Sequence, residues 1–188
     1  LGDVYKRQFS HCVSLISVDC SDKLTAIGSS AFFGCKALVS IGDLSNVTSI
    51  ESSVFRGCIA LKSIGNMPKL ESIGMQCFMG CTALETVGDL SSLKEIPSET
   101  FDGCTSLVSI GDLSNVTIIG SYGFNQCKKL TSIPNLGSLE RVDQFAFSGC
   151  ESLALLGNLR KLTSFGYSPF VNSPFHNCPN LVLEVLPD

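Results

Sequence analysis

Ala31-Phe32-Phe33-Gly34-Cys35-Lys36-Ala37-Leu38-Val39-Ser40-Ile41-Gly42-Asp43-Leu44-Ser45-Asn46-Val47-Thr48-Ser49-Ile50 is one unit of a pattern that returns along almost the whole chain. Its cysteine recurs at Cys12, Cys35, Cys58, Cys81, Cys104, Cys127, Cys150 and Cys178, at six intervals of 23 residues and a last one of 28. Three residues before each stands a phenylalanine (Phe9, Phe32, Phe55, Phe78, Phe101, Phe124, Phe147, Phe175), and three after each a leucine, from Leu15 to Leu181. Within the unit, Cys35, Leu38, Ile41, Leu44, Val47 and Ile50 are apolar at every third residue, which is neither the helical nor the strand period. A period of three inside a long repeat suits a coil of short extended segments separated by bends, each turning one apolar row inward. The expected fold is therefore a repeat solenoid, a right-handed coil with short parallel strands.

Each unit also carries two local signals. Gly42-Asp43, Gly65-Asn66, Gly88-Asp89, Gly111-Asp112 and Gly157-Asn158, with Pro134-Asn135 as a variant, favour tight bends between the extended segments. Stretches such as Ser52-Ser53-Val54-Phe55-Arg56-Gly57 predict one short helical or 3-10 turn per repeat, with Ser as cap, Gly as left-handed stop and Phe plugging the core.

The recurring Ala/Val-Phe-x-Gly-Cys-x-x-Leu-x-x-Ile, seen in Ala31 to Ile41, resembles the BspA-like leucine-rich repeats from residue 9 to about 181. The family commonly has Ile-Pro where this chain has Ile-Gly-Asp or Ile-Gly-Asn. The resemblance implies a curved leucine-rich-repeat solenoid and a surface or adhesive role; it implies no chemistry. Residues 1–8, Leu1 to Gln8, match no later unit and read as the translation of a sequencing-adaptor end, so a start and any export signal are expected to lie outside the sequence. Residues 9–188 read as a single domain of about seven repeats, with an insertion near 167–171 and a C-terminal cap over about 179–188.

Composition narrows the function classes. Of 188 residues 44% are hydrophobic and only 16% charged, so the 27 serines must wet much of the surface. A net charge of -4 without a basic run argues against nucleic-acid binding. No apolar stretch approaches the roughly 18 residues of a membrane span. The chain has ten cysteines but no Cys-x-x-Cys pair, so no zinc site is expected; Cys77 stands where other units have Ala31, Val54 and Thr100. The repeat cysteines read as free thiols filling an inward slot as small hydrophobes. On that reading Cys81→Ser would cost about 1–3 kcal/mol for a hydroxyl without a partner, and Cys81→Ala less.

His11 and His176 lie at opposite ends and form no catalytic pair. Asp43, Asp89 and Asp112 belong to a repeating bend, which explains them better than a glycosidase carboxylate pair. The signature of calcium-binding solenoids is missing, so neither metal nor other cofactor is expected. Asn46-Val47-Thr48 and Asn115-Val116-Thr117 are formal glycosylation sequons.

A binding surface is what remains. Between each inward Leu and Ile lie two outward residues, and the second forms a hydroxyl column: Ser17, Ser40, Ser63, Thr86, Ser109 and Ser132, broken at Leu155. The first varies through Ile16, Val39, Lys62, Glu85, Val108, Thr131 and Ala154. The candidate face is thus Val39, Ser40, Lys62, Ser63, Glu85, Thr86, Val108, Ser109, Thr131 and Ser132. With no Trp in the chain, recognition there is expected to be polar and shallow. A rival face is Thr48, Ser49, Glu71, Ser72, Lys94, Glu95, Glu140 and Arg141, and the sequence does not choose between them. The expected function is a non-enzymatic protein-binding or adhesion module of a larger cell-surface or secreted protein, with a protein or glycan ligand on a host or neighbouring cell. The alternative is an intracellular, cytoplasmic scaffold for protein–protein interaction.

Overall fold

The computed structural model describes residues 7–165 and 173–182. The insertion expected around 167–171 and residues 183–188 of the expected cap lie outside the described residues, as do residues 1–6. Two strands, each two residues long, occur in every 23-residue unit. The strands form two columns, paired in short sheets; the first comprises β1 (Ser17–Val18), β3 (Ser40–Ile41), β5 (Ser63–Ile64), β7 (Thr86–Val87), β9 (Ser109–Ile110), β11 (Ser132–Ile133) and β13 (Leu155–Leu156), paired as β1-β3, β5-β7-β9 and β11-β13. The second comprises β2 (Ala26–Ile27), β4 (Ser49–Ile50), β6 (Ser72–Ile73), β8 (Glu95–Ile96), β10 (Ile118–Ile119), β12 (Arg141–Val142) and β14 (Ser164–Phe165). All pairings are parallel and in the register of the repeat, as in Ser17↔Ser40, Thr86↔Ser109 and Ile119↔Val142. The fold is a parallel-strand, leucine-rich-repeat-like solenoid. Its strands stay short because the chain must bend at every third residue to return the next apolar side chain to the axis.

The core is a set of columns of identical side chains, one from each coil. Phe32, Phe55, Phe78, Phe101, Phe124 and Phe147 are fully buried, and so is most of the Leu and Ile rows beside them, with Leu15 and Ile41 partly buried. Neighbouring Phe rings stack nearly parallel with centroids 5.1 to 5.4 Å apart from Phe9 to Phe147. This offset stacking adds a directional preference to the area each ring buries.

The expected helical or 3-10 turn is corrected: each unit has a run of β-turns there and no helix. Two residues per turn sit in the left-handed region, Ser30 (φ 57) and Gly34 (φ 68) in one unit, Gln76 (φ 59) and Gly80 (φ 72) in another. A helix would need consecutive N–H groups bonded within the same segment. Here they alternate. Ala31, Phe33 and Cys35 donate to Gly28, Ser30 and Phe32 of their own turn, whereas Ser30, Phe32 and Gly34 donate to Ser52, Val54 and Arg56 of the next coil at 2.8–3.0 Å. Pairing every second amide with the following coil is what excludes a helix. Arg7 (φ 50) already occupies the left-handed slot and donates to the Ser29 carbonyl at 3.2 Å, so the repeat's backbone register reaches into the stretch read as adaptor-derived.

The cysteine column differs from its reading as an inert filler. Each thiol donates to the phenylalanine carbonyl of the preceding coil: Cys58 to Phe32 at 3.1 Å, Cys81 to Phe55 at 3.0 Å, Cys104 to Phe78 at 3.2 Å and Cys127 to Phe101 at 3.3 Å. The same carbonyl accepts the amide of the cysteine three residues on, Phe55 from Cys58 at 3.0 Å. Thiol and amide together satisfy both lone pairs of a buried oxygen. Serine at this position would have the same acceptor, so the expectation that Cys81→Ser leaves an orphaned hydroxyl is overturned.

Candidate binding surface

The odd-numbered strands hold the candidate face. Because the two residues between an inward Leu and an inward Ile cannot both follow the core, Val39, Ser40, Lys62, Ser63, Glu85, Thr86, Val108, Ser109 and Thr131 stand exposed, and Ser132 half-buried. The parallel register aligns the hydroxyls of Ser63, Thr86 and Ser109 in one line. The backbone between them is committed to neighbouring coils: Val39 N–H bonds Ile16 O at 2.8 Å, Glu85 bonds Lys62 at 2.8 Å, and Val108 bonds Glu85 at 2.9 Å. A partner that approaches these coils therefore meets side chains, the backbone amides of Val39, Glu85 and Val108 being already paired.

Apolar side chains are concentrated on this side. Nine large hydrophobic residues are exposed among the described residues. Seven of them, Val13, Ile16, Val39, Ile59, Val108, Leu155 and Val182, lie in the arc from one to five residues past the repeat cysteine; only Met75 and Phe165 lie elsewhere. Ile16 is 63% exposed and Leu155 49%. The expected polar character is thus modified: the face is a hydroxyl line flanked by exposed aliphatic groups, with Lys62 and Glu85 in the middle. Among the described residues these two form no ion pair with each other, unlike Lys128 and Glu151 at 3.0 Å.

On the rival face the threonine column bonds internally, while among the described residues Ser49 and Ser72 make no such side-chain bond. Thr48 Oγ1 donates to Thr25 O at 3.1 Å, Thr117 to Lys94 O at 3.2 Å and Thr163 to Glu140 O at 3.4 Å, so this column ties each coil to the one before it. No comparable side-chain bond is made by Ser40, Ser63, Thr86, Ser109 or Ser132 among the described residues. The second face does hold a feature the sequence reading missed, an open depression of about 400 Å³ lined by Ser29, Ser49, Glu51, Ser52, Ser72 and Gly74 over Ile50 and Ile73. Glu51 there accepts the Ser29 amide and hydroxyl, each at 2.9 Å. The alternation Gly28, Glu51, Gly74 in one column was the available signal: glycine leaves room beside the glutamate of the middle coil.

The bend acids are structural. Asp43 accepts the Ser45 amide and hydroxyl at 2.9 Å, which holds its carboxyl below the ordinary range, and Asp89 and Asp112 grip Ser91 and Ser114 in the same way. The sequon asparagines are also engaged, Asn46 with Asp22 O at 3.0 Å and Asn115 with Ser91 O at 2.8 Å. His11 (φ 59) fills the left-handed glycine slot, exposed, with its ring edge-on to Phe33 at 5.0 Å; His176 is exposed at the other end. Burial raises the thiol of Cys58 from its ordinary 9.0 to about 12 and pushes Cys81, Cys104 and Cys127 upward as well, so these sulfurs are held neutral and unreactive. Among the described residues no group of acids, histidines and cysteines is placed to hold a metal, and no helix is long and apolar enough to cross a membrane.

Comparison with known proteins places these features. The BspA type leucine rich repeat region (6 copies) matches residues 2–130 and again residues 71–182. A leucine-rich repeat protein from Eubacterium ventriosum superposes with a TM-score of 0.75 at 23% identity, over 92% of this chain and 45% of that one. The leucine-rich repeat protein of T. pallidum superposes with a TM-score of 0.63 at 26% identity, over 97% of this chain and 72% of that one. The chain thus spans less than half of the first relative's length. No curated protein is significantly similar to it in sequence.

Proposed function

The chain belongs to the BspA-type leucine-rich repeat family, whose members are generally protein-interaction modules, and on that premise we propose that it is a non-enzymatic recognition module of a larger cell-surface protein, binding through the odd-strand face. The observation that carries the choice of face is the gathering of exposed aliphatic side chains on it, beside hydroxyls that have no internal partner. Exposed aliphatic groups gathered on one side, here interrupted by Lys62 and Glu85, offer a partner apolar area to bury. The partner is a protein or a glycan presented on another cell. Lacking Trp and offering a flat, mixed surface, one module binds weakly, and useful avidity comes from many coils engaging a multivalent ligand. Family membership supports an adhesive surface setting, and the match is to a repeat scaffold and to no catalytic family.

The test is a binding survey against extracellular-matrix proteins and polysaccharides with three proteins: wild type, Val39→Ser/Val108→Ser, and Glu71→Lys/Lys94→Glu on the rival face. About a ten-fold loss with the valine variant alone supports the proposal, the size expected for removing two exposed aliphatic contacts. Loss with the rival swap alone, or tight binding that neither variant changes, overturns the choice of face.

A further inference from the structure

Four successive coils of the odd-strand face carry outward residues that are complementary to their own reverse order. The variable column reads Val39, Lys62, Glu85, Val108, and the hydroxyl column Ser40, Ser63, Thr86, Ser109, all exposed. Lys62 and Glu85 belong to adjacent coils, the Glu85 amide bonding the Lys62 carbonyl at 2.8 Å. Yet among the described residues neither side chain takes part in an ion pair or a hydrogen bond. A two-fold axis along the strand direction, set between these two coils, turns each column end for end onto the same column of a second copy. Lys62 then meets Glu85 of the second copy and Glu85 meets its Lys62, while Val39 meets Val108, Ser40 meets Ser109 and Ser63 meets Thr86. Such a self-complementary patch is what a two-fold contact between identical chains requires. Other registers fail on charge. With the solenoid axes parallel, Lys62 opposes Lys62 and Glu85 opposes Glu85; moving the antiparallel axis onto either coil likewise sets one of these charges against its own copy, which costs affinity.

We propose that the odd-strand face binds a second copy of this chain, antiparallel, through two reciprocal Lys62–Glu85 pairs flanked by two Val39–Val108 contacts. The inference rests on the odd-strand face being the recognition surface, and it names the partner: the same chain displayed on an adjoining surface. Val39 is 37% exposed and Val108 43%, so each valine has apolar area to bury against the other. Of the remaining charges, Lys36 falls opposite Thr105 in this register. Asp43 and Asp112 meet at the bend edge, each already held by the serine two residues on, and their like charge limits the affinity. Three coil spacings of about 4.8 Å make the contact roughly 15 Å long. That is short for an interface that must reach roughly 800 Å² per partner to be stable by itself. Each pairing is therefore weak, and many chains displayed side by side hold the two surfaces together.

Self-association of the full chain is followed under reducing conditions, by sedimentation up to about 1 mM and by clustering of beads coated with the protein. Wild type should self-associate and its beads should cluster. Lys62→Glu and Glu85→Lys should each weaken self-association by about ten-fold or more, since either one sets like charges together in both pairs. The double variant Lys62→Glu/Glu85→Lys should return it to within about three-fold of wild type, and the two single variants, mixed, should bind each other although neither clusters alone. All of these change exposed side chains, so melting temperatures should match wild type. Wild type that stays monomeric at about 1 mM and unclustered on beads, self-association that the single variants leave unchanged, or a double variant no better than the singles would overturn the proposal. If wild type does not self-associate but binds a matrix protein or polysaccharide in a way the Val39→Ser/Val108→Ser variant loses, the face stands as the recognition surface and the second copy falls as its partner.

Discussion

Replacement of Cys81 by alanine and by serine separates the two roles a cysteine can have in the inward column. Its Sγ donates to Phe55 O at 3.0 Å, and Phe55 O also accepts the Cys58 amide at 3.0 Å. Alanine removes a buried group of about methylene size, worth about 1 kcal/mol in transfer and cavity terms, and a hydrogen bond worth about 0.5–1 kcal/mol, for a total near 2 kcal/mol. The acceptor keeps its amide partner, so no full desolvation penalty is added. Serine loses size but retains a donor aimed at the same oxygen, and should cost about 1 kcal/mol. At about 2–4 °C per kcal/mol for a chain of this length, the alanine variant should melt roughly 4–8 °C below wild type and the serine variant about half as far below. Since the chain has no Trp, melting is followed by far-ultraviolet circular dichroism, under reducing conditions, with urea titration as a second measure. A serine variant less stable than the alanine variant by about 1 kcal/mol or more would refute the donor role and restore the thiol as simple apolar filler.

The raised thiols make the fold alkali-sensitive: unfolding frees sulfurs that ionise near 9.0, whereas Cys58 in the folded chain resists to about 12, so stability should be level below pH 9 and fall as pH rises toward 12. A urea midpoint unchanged between pH 8 and 11 would contradict it. Gly111→Ala should cost about 1–3 kcal/mol, because its Cβ would collide with the Gly88 carbonyl, while Gly65→Ala, with open space around it, should stay within about 0.5 kcal/mol; melting curves decide. Thr117→Val should lose about 0.5–1 kcal/mol with its bond to Lys94 O, and Ser109→Ala on the proposed binding face should leave the melting temperature unchanged. Deleting residues 179–188 removes Leu181 from the core edge and the Asn180 amide bond to Glu151 O at 2.8 Å, and should lower the midpoint by more than about 5 °C. Deleting residues 1–8 costs two backbone bonds at Arg7 and should shift it by only about a degree, so equal losses would count against a C-terminal cap.

Residue order alone carried the solenoid. The interval from Cys35 to Cys58, the flanking Phe and Leu and the apolar residue at every third position are a demand for burial, and burial is a property of residue type that repeats when the structure repeats. The same reasoning placed the Asp43 and Asp112 bends, because Asp binds its own backbone two residues on. The turn around Phe32 was not legible. Its Ser, Gly and apolar residues are compatible with a helical turn, and what decides against one is that Ser30, Phe32 and Gly34 donate to a coil 22 residues away. The donor role of the cysteines was hidden for a similar reason: the Phe55 carbonyl beneath Cys81 belongs to the preceding coil, and nothing in the unit itself says that its second lone pair is open. The two faces look alike in sequence, both rich in Ser and Thr. They part in one column only when the coils stack, where Thr48 and Thr117 reach the carbonyls of the coil before, whereas the serines of either face, Ser49 and Ser72 or Ser63 and Ser109, do not. Periodic burial is written along the chain, whereas hydrogen bonds between coils depend on where a neighbour's backbone atoms lie, and only the stacked solenoid supplies those positions.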